Sequence, residues 1–307
     1  MIRVFIDGSA GTTGLRIRER LSVREDISLI TLPPSLRKDP GARRDSINQS
    51  DVAFLCLPDA AAREAVGFVE NENTVIIDTS TAHRTAEDFT YGMPELSGQR
   101  AKIRLSRRIA NPGCHASGFI ALVAPLIQQG LLPDTAPLSC FSLTGYSGGG
   151  KGMIAQYEDD KRDALLDAPR VYGLTQQHKH LAEMTTVCGL TTAPIFSPVV
   201  APYYSGMLVS VSVFSHELTG SIDDIRACYR AYYQSGVIRY ADDAEDGFLS
   251  ASSMAGRDDM TVAAYGNGER ITLVSRFDNL GKGASGAAIQ NMNLVIGAEE
   301  TAGLLLG

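Results

Sequence analysis

The stretch IRVFIDGSAGTTG, residues 2–14, decides the fold. Ile2 to Asp7 is apolar and β-branched, and Gly8 stops it, which predicts a short buried strand. Gly8, Gly11 and Gly14 follow at a G-x-x-G-x-x-G spacing, with Ser9, Thr12 and Thr13 among them, and a helical segment comes next. Small residues in such a turn let the backbone approach a pyrophosphate at a helix N-terminus, where free N–H groups and the dipole favour an anion. The spacing departs by one residue from G-x-G-x-x-G. Its weight comes from its position directly after the first strand.

Working outward, apolar runs alternate with helical stretches, the pattern of βα units on a parallel sheet. Ile27–Leu32 is a second strand, closed by Pro33 and Pro34; residues 51–57 form a third, 59–69 a helix and 74–78 a fourth strand. After Cys114 the character changes. Residues 115–129 read as a buried helix that Pro125 should bend or end. The runs 138–144, 194–200, 207–216 and 271–277 alternate and suit a mixed or antiparallel sheet, and 284–296 reads as a small-residue helix. The expectation is an α/β protein: a Rossmann-type doubly wound parallel sheet over 1–114, then an α+β catalytic domain with a mixed sheet over 115–283.

A net charge of -7 argues against a nucleic-acid partner, whose binding face would be basic. No apolar run approaches the roughly 20 residues that span a bilayer. The N-terminus enters a strand at once, with no signal-peptide layout. The five cysteines are odd in number, scattered, and form no C-x-x-C pair, so neither a disulfide framework nor a zinc ribbon is expected. A reducing, cytoplasmic setting follows as the expectation.

The second strand bears on the cofactor. An NAD site places Asp or Glu at that strand's end for the ribose 2′-hydroxyl. No carboxylate occurs between Ile27 and Lys38; Ser35, Arg37 and Lys38 follow the strand instead, with Arg43 and Arg44 beyond. Hydroxyls and cations suit a 2′-phosphate, so NADP is the expected cofactor, although any one of these cations also reads as a solvated loop residue.

NPGCHASG, residues 111–118, is the most informative stretch. Pro112 and Gly113 force a turn, and a helical segment follows, so Cys114 falls at or near a helix N-terminus. That position lowers a thiol's pKa and supplies a thiolate. A thiolate suits attack on an acyl phosphate, and the resulting thioester accepts hydride. The first N–H groups of the helix, with the Asn111 amide, suit a tetrahedral oxyanion. Cys56, Cys140, Cys188 and Cys228 sit among apolar or small residues and carry no expected chemistry.

Thiol chemistry needs an acid/base, and His178 and His180 fall in QHKHLAE. A metal set of His178, His180 and Glu183 is the rival. The H-x-H spacing puts the two rings on different faces of a helix, and nothing completes the set, so no metal is expected. His83, His115 and His216 read as packing or surface residues. Ser147, Gly148 and Lys151 lie in a loop rich in N–H donors that suits a phosphate or carboxylate but lacks the nucleotide P-loop pattern. Ser80 and Arg84 follow the fourth strand, and Arg84 is a candidate for a substrate carboxylate.

With these residues on the page, the chain resembles the N-acetyl-γ-glutamyl-phosphate reductases, relatives of aspartate-semialdehyde dehydrogenase. The carrying motifs are the glycine turn, DTSTAHR at 78–84, YGMPEL at 91–96, NPGCHASG, SGGGKG at 147–152, HKHLAE at 178–183 and DNLGKGASGAAIQNMN at 278–293. They span nearly the whole chain in the family's order. The resemblance implies Cys114 as nucleophile, His178 as acid/base and Glu183 as its orienting partner. It also implies cofactor contacts at Pro58, Asn279 and Gly283, substrate contacts that include Lys179, and a homo-oligomer, dimer or tetramer. The C-terminal helix should return to the cofactor domain. Ser205 stands where the long type carries Arg, which fits the short type. The expected reaction is NADPH-dependent reduction of an acyl phosphate, in arginine biosynthesis. The alternatives are aspartate-semialdehyde dehydrogenase and a catalytically silent NADP-binding regulator.

Overall fold

A computed structural model describes residues 1–234 and 236–307. The chain divides into two compact units, Met1–Pro112 with Ala284–Leu304, and Gly113–Gly283 with Leu305–Gly307.

The first unit runs β1 (Ile2–Asp7), α1 (Thr12–Leu21), β2 (Ile27–Ile30), α2 (Pro40–Gln49), β3 (Val52–Leu55), α3 (Asp59–Val66), β4 (Val75–Asp78), β5 (Thr90–Tyr91), α4 (Gln99–Leu105) and β6 (Arg108–Ala110). All strand pairs are parallel, in the order β2-β1-β3-β4-β6-β5. Every residue of β3 and β4 is buried, which is why these strands read as unbroken apolar runs. The strand order reverses beside β1, so the glycine turn leaves the sheet at a topological switch point, the usual ligand position in such sheets. β1 matches its predicted run, and β2, β3 and β4 are one to three residues shorter than theirs. β5 and β6 were not anticipated, because two and three residues are too few to show a period.

The second unit contains α5 (Cys114–Gln128), β7 (Ser139–Gly145), α6 (Gly150–Glu158), β8 (Arg170–Val171), α7 (His180–Cys188), β9 (Ile195–Ala201), β10 (Met207–Phe214), α8 (Ile222–Tyr232), β11 (Ile238–Tyr240), β12 (Met260–Gly266) and β13 (Arg270–Phe277). Its sheet is mixed, in the order β11-β12-β13-β10-β7-β9-β8. β10 lies antiparallel to both β13 and β7, and β7 parallel to β9. The chain then returns as α9 (Gly286–Val295). Ala288, Ile289, Met292 and Leu294 of α9 complete the first unit's core with Val4, Ile17, Phe54 and Ile109.

Pro125 does not break α5. The proline lacks the N–H that would bond the Ala121 carbonyl. The Tyr233 hydroxyl donates to that carbonyl at 2.7 Å, and the Tyr229 hydroxyl donates to the Leu122 carbonyl at 2.6 Å. Two buried tyrosines at the end of α8 thus satisfy the groups a proline disturbs, and the helix continues to Gln128.

Candidate active site

Pairing of β6 with β4 sets up the nucleophile turn. Ala110 lies opposite Asp78, and the next residue, Asn111, donates its backbone N–H to the Asp78 carbonyl at 2.8 Å. Arg84 Nε donates to the Asn111 carbonyl and its Nη2 to the Thr79 carbonyl, both at 3.0 Å, tying the loop after β4 to the turn. The Asn111 side chain is buried. It donates to the Ala284 carbonyl at 3.0 Å and accepts from Asn291 at 3.3 Å. These bonds anchor the turn within the first unit.

Gly113 caps α5, and Cys114 is its first residue. The helix ladder opens with the Ser117 N–H on the Gly113 carbonyl at 2.8 Å, so the N–H groups of residues 114–116 fall outside it. Glu183, buried on α7, accepts the Gly113 N–H at 2.8 Å. A Cβ on Gly283 would come within 3.0 Å of the Cys114 Cβ, so only glycine allows this approach without displacement.

The histidines stand differently from the sequence reading. His178 precedes α7, Lys179 caps it and His180 is its first residue, so the helical phase assumed for H-x-H does not apply. The two rings lie 4.8 Å apart. The His180 N–H donates to His178 Nδ1 at 3.1 Å, which places the proton of a neutral His178 on Nε2. His115, read as packing or surface, is buried in the same cluster, 5.7 Å from the His178 ring. Its Nδ1 bonds Ser142 Oγ and its Nε2 bonds Tyr172 Oη, each at 2.7 Å. Burial, with the His178 charge nearby, pushes the His115 pKa down to about 3. Burial and the adjacent Cys114 raise that of the Tyr172 hydroxyl. The Tyr172 ring lies 6.0 Å from the His178 ring. No periodicity marks it, because it lies in an irregular segment.

Burial raises the other four thiols: Cys56 to about 12, and Cys140, Cys188 and Cys228 also upward.

In the first unit, Gly8 has φ +85° and a Cβ there would overlap the Cys56 carbonyl; a Cβ on Gly14 would meet the Gly8 carbonyl at 2.5 Å. The turn is thus packed too closely for side chains. Gly8 and Ser9 border a cavity of about 370 Å³, which Leu29, Leu57, Arg18, Arg37 and Lys38 also line. At the start of α1, the Thr12 hydroxyl is buried with no hydrogen-bond partner among the described residues, while Gly11 and Thr13 are half-buried. A glycine turn, an unpartnered hydroxyl at a helix start and a cation-lined cavity fit a dinucleotide. Pro58 caps α3 beside this cavity's Leu57. Ser35 lies exposed on the same short turn that leads to Arg37. Arg43 is not a solvated loop residue: it is buried on Asp7 at 2.9 Å and Glu64 at 2.7 Å. Arg18 was missed by the sequence reading, having no spacing signal of its own.

Ser80 is buried, its hydroxyl donating to Asp78 at 2.7 Å. In the second unit, the loop after β7 is a short 3-10 turn leading into α6, with Gly148 and Lys151 exposed. Ser147 accepts from Asn279 Nδ2 at 3.0 Å, and Asn279 Oδ1 accepts the Gly206 N–H at 2.9 Å. Ser205 donates to Asp278 at 2.9 Å. Lys179 is exposed. Among the described residues, no three His, Cys, Asp or Glu side chains gather as a metal-holding set, and no helix is long and apolar enough to cross a membrane.

Comparison with known proteins bears on this geometry. The family described as semialdehyde dehydrogenase, dimerisation domain, matches residues 114–279, and semialdehyde dehydrogenase, NAD binding domain, matches residues 14–104. The chain is 45% identical to an N-acetyl-gamma-glutamyl-phosphate reductase of Sinorhizobium medicae, over 96% of this chain and 99% of that protein. It is 43% identical to N-acetyl-gamma-glutamyl-phosphate reductase 2 of a Nostoc species, over 98% of this chain and 99% of that one. Among solved structures, aspartate semialdehyde dehydrogenase II of Vibrio cholerae, complexed with ASA, superposes with a TM-score of 0.72 at 16% identity, covering 96% of this chain and 98% of that one. Aspartate semialdehyde dehydrogenase of Candida albicans with NADP gives 0.69 at 14%, covering 96% and 99%. At these identities the structural likeness speaks to fold alone.

Proposed function

Because the chain belongs to the family of N-acetyl-gamma-glutamyl-phosphate reductases, we propose that it reduces N-acetyl-γ-glutamyl phosphate to the semialdehyde through a thioester on Cys114, as a step of arginine biosynthesis. The observation that carries this reading is the position of Cys114 at the first residue of α5, its turn held by Glu183 and the ring of the next residue, His115, 5.7 Å from that of His178.

The N-terminus of α5 favours a thiolate. The Cys114 thiolate attacks the γ-carbonyl, the acyl–oxygen bond breaks, and inorganic phosphate leaves. N–H groups in the first turn of α5 are the donors for the oxyanion, where the helix dipole also favours negative charge. NADPH held at the glycine turn of Gly8, Gly11 and Thr12 would supply the hydride that reduces the thioester to a thiohemiacetal. His178 carries its neutral-state proton on Nε2 and donates it to the developing oxygen anion. Return of that proton to His178 as the carbon–sulfur bond breaks releases the aldehyde and restores the thiolate. Lys151 and Lys179, both exposed, are cations for the anionic ends of the substrate.

The first unit binds a nicotinamide cofactor, and NADP is the preferred one. No carboxylate follows β2, and Arg18, Arg37 and Lys38 line the cavity beside the glycine turn. The second unit is of the dimerisation type. Phe141, Ile195 and Phe214 share one exposed face of its sheet by register, and this face meets a second copy of the chain. Five scattered free cysteines suit a reducing, cytoplasmic location.

The test is an assay in the reverse direction with NADP⁺, inorganic phosphate and N-acetylglutamate γ-semialdehyde, repeated with aspartate semialdehyde. Phosphate-dependent NADPH formation with the first aldehyde alone is the expected result. Turnover of aspartate semialdehyde instead keeps the chemistry and overturns the substrate; no turnover with either overturns both.

A further inference from the structure

Four cations line the cavity beside the glycine turn, and their surroundings differ sharply. Arg43 is buried, with Nε on Asp7 at 2.9 Å and Nη1 on Glu64 at 2.7 Å. It neutralises the carboxylate at the end of β1 and has little left to offer a ligand. Arg37 and Lys38 are exposed on the turn after β2, where a charge pair is screened and worth little.

Arg18 is the exception. It sits on the second turn of α1, directly after the fully buried Ile17, and its side chain is half-buried. It makes no side-chain hydrogen bond or ion pair with any described residue, yet it shares the cavity wall with Leu29, Ile30 and Thr31 at the end of β2. Withdrawing a guanidinium from water without an anion is unfavourable. Its planar fork of donors matches phosphate oxygens better than an ammonium does. The apolar residues Leu29 and Ile30 beside it give a flat ring a surface to lie on.

We propose that Arg18 is the specificity-determining residue for the cofactor: its guanidinium takes the 2′-phosphate of the adenosine ribose, while Arg43 stays on Asp7 and does not read the phosphate. This rests on the reading that the first unit binds NADP. The Asp7–Arg43 pair has a separate part in the design, since an unpaired Asp7 carboxylate in the cavity would repel a dinucleotide phosphate.

Calorimetric binding of 2′,5′-ADP and 5′-AMP to the whole protein tests this. The wild type should prefer 2′,5′-ADP by roughly tenfold to a hundredfold, the range of a charged hydrogen bond. In Arg18→Ala and Arg18→Gln that ratio should fall close to unity, with 5′-AMP affinity held within about twofold, and Arg18→Lys should recover part of it. A wild-type preference that both variants keep overturns the assignment of Arg18 and leaves the NADP reading standing. Loss of 5′-AMP binding in both variants also overturns the assignment, because Arg18 would then hold the fold of the cavity. A wild type without any preference overturns the NADP reading and this inference together.

Discussion

The backbone N–H of Gly113 donates to the Glu183 carboxylate at 2.8 Å, so the helix that begins at His180 also clamps the turn that delivers Cys114. Glu183 is buried, and so is the bond. Replacing Glu183 by Ala strands a buried donor and should cost about 1–3 kcal/mol of stability. Displacement of the nucleophile should lower kcat by roughly tenfold to a hundredfold with KM little changed. Glu183→Gln keeps an acceptor and should retain most of the stability. Steady-state kinetics and urea unfolding of both variants check this; equal stability losses in the two would contradict it.

Cys114 should be the one readily alkylated thiol near neutral pH. Burial raises the pKa of Cys56, Cys140, Cys188 and Cys228, which keeps them as unreactive thiols. Iodoacetamide followed by peptide mapping should label Cys114 first, and cofactor should bind the Cys114→Ser protein as it binds the wild type. Prior labelling of Cys56 would argue against the assignment.

His115 should make stability depend on pH. Its pKa, about 3 in the folded chain against 6.5 for an exposed imidazole, is depressed by burial and by His178. As pH falls, the unfolded chain binds the proton first. The contribution is therefore fully present above pH 6.5 and is lost progressively down to about pH 3, by ~1.4 kcal/mol per unit. Between about pH 7 and pH 5 the loss should be about 2 kcal/mol, and His115→Asn should flatten it. Denaturant melts at several pH values would show this as a difference in slope; parallel slopes would refute it.

Tyr233 should matter because of Pro125. In the wild type, Tyr233→Phe leaves the Ala121 carbonyl without its donor and should cost about 1–3 kcal/mol. In a Pro125→Ala background the new backbone N–H can take that carbonyl, so the same substitution should cost less. A double-mutant cycle with no coupling energy would show the two residues to be independent.

Much of the fold was readable in the sequence where a physical signal repeats. Ile2–Asp7 with its glycine turn, and the apolar runs that became β3 and β4, announce a parallel sheet buried on both faces. β5, at two residues, is too short to show a period. The break expected at Pro125 failed for a different reason. Its remedy lies in Tyr229 and Tyr233, more than 100 residues away in the chain, and no local rule sees such a partner. The site followed the same division. Cys114 announced itself through the turn that precedes a helix. Tyr172 and Arg18 carry no motif in their own right, His115 lies in NPGCHASG without a role of its own to read there, and only folding brings them to the histidine cluster or the cavity wall. The H-x-H argument assumed helical phase at His178, which lies just outside the helix.

The most direct test of the account is to trap the acyl-enzyme. The protein is mixed with N-acetyl-γ-glutamyl phosphate in the absence of cofactor, phosphate release is followed, and the quenched chain is mapped by mass spectrometry. The account predicts a burst of phosphate equal to the enzyme concentration and an N-acetylglutamyl adduct on the Cys114 peptide, which NADPH then removes. A phosphate burst without an adduct on Cys114, or an adduct that NADPH leaves in place, would contradict it.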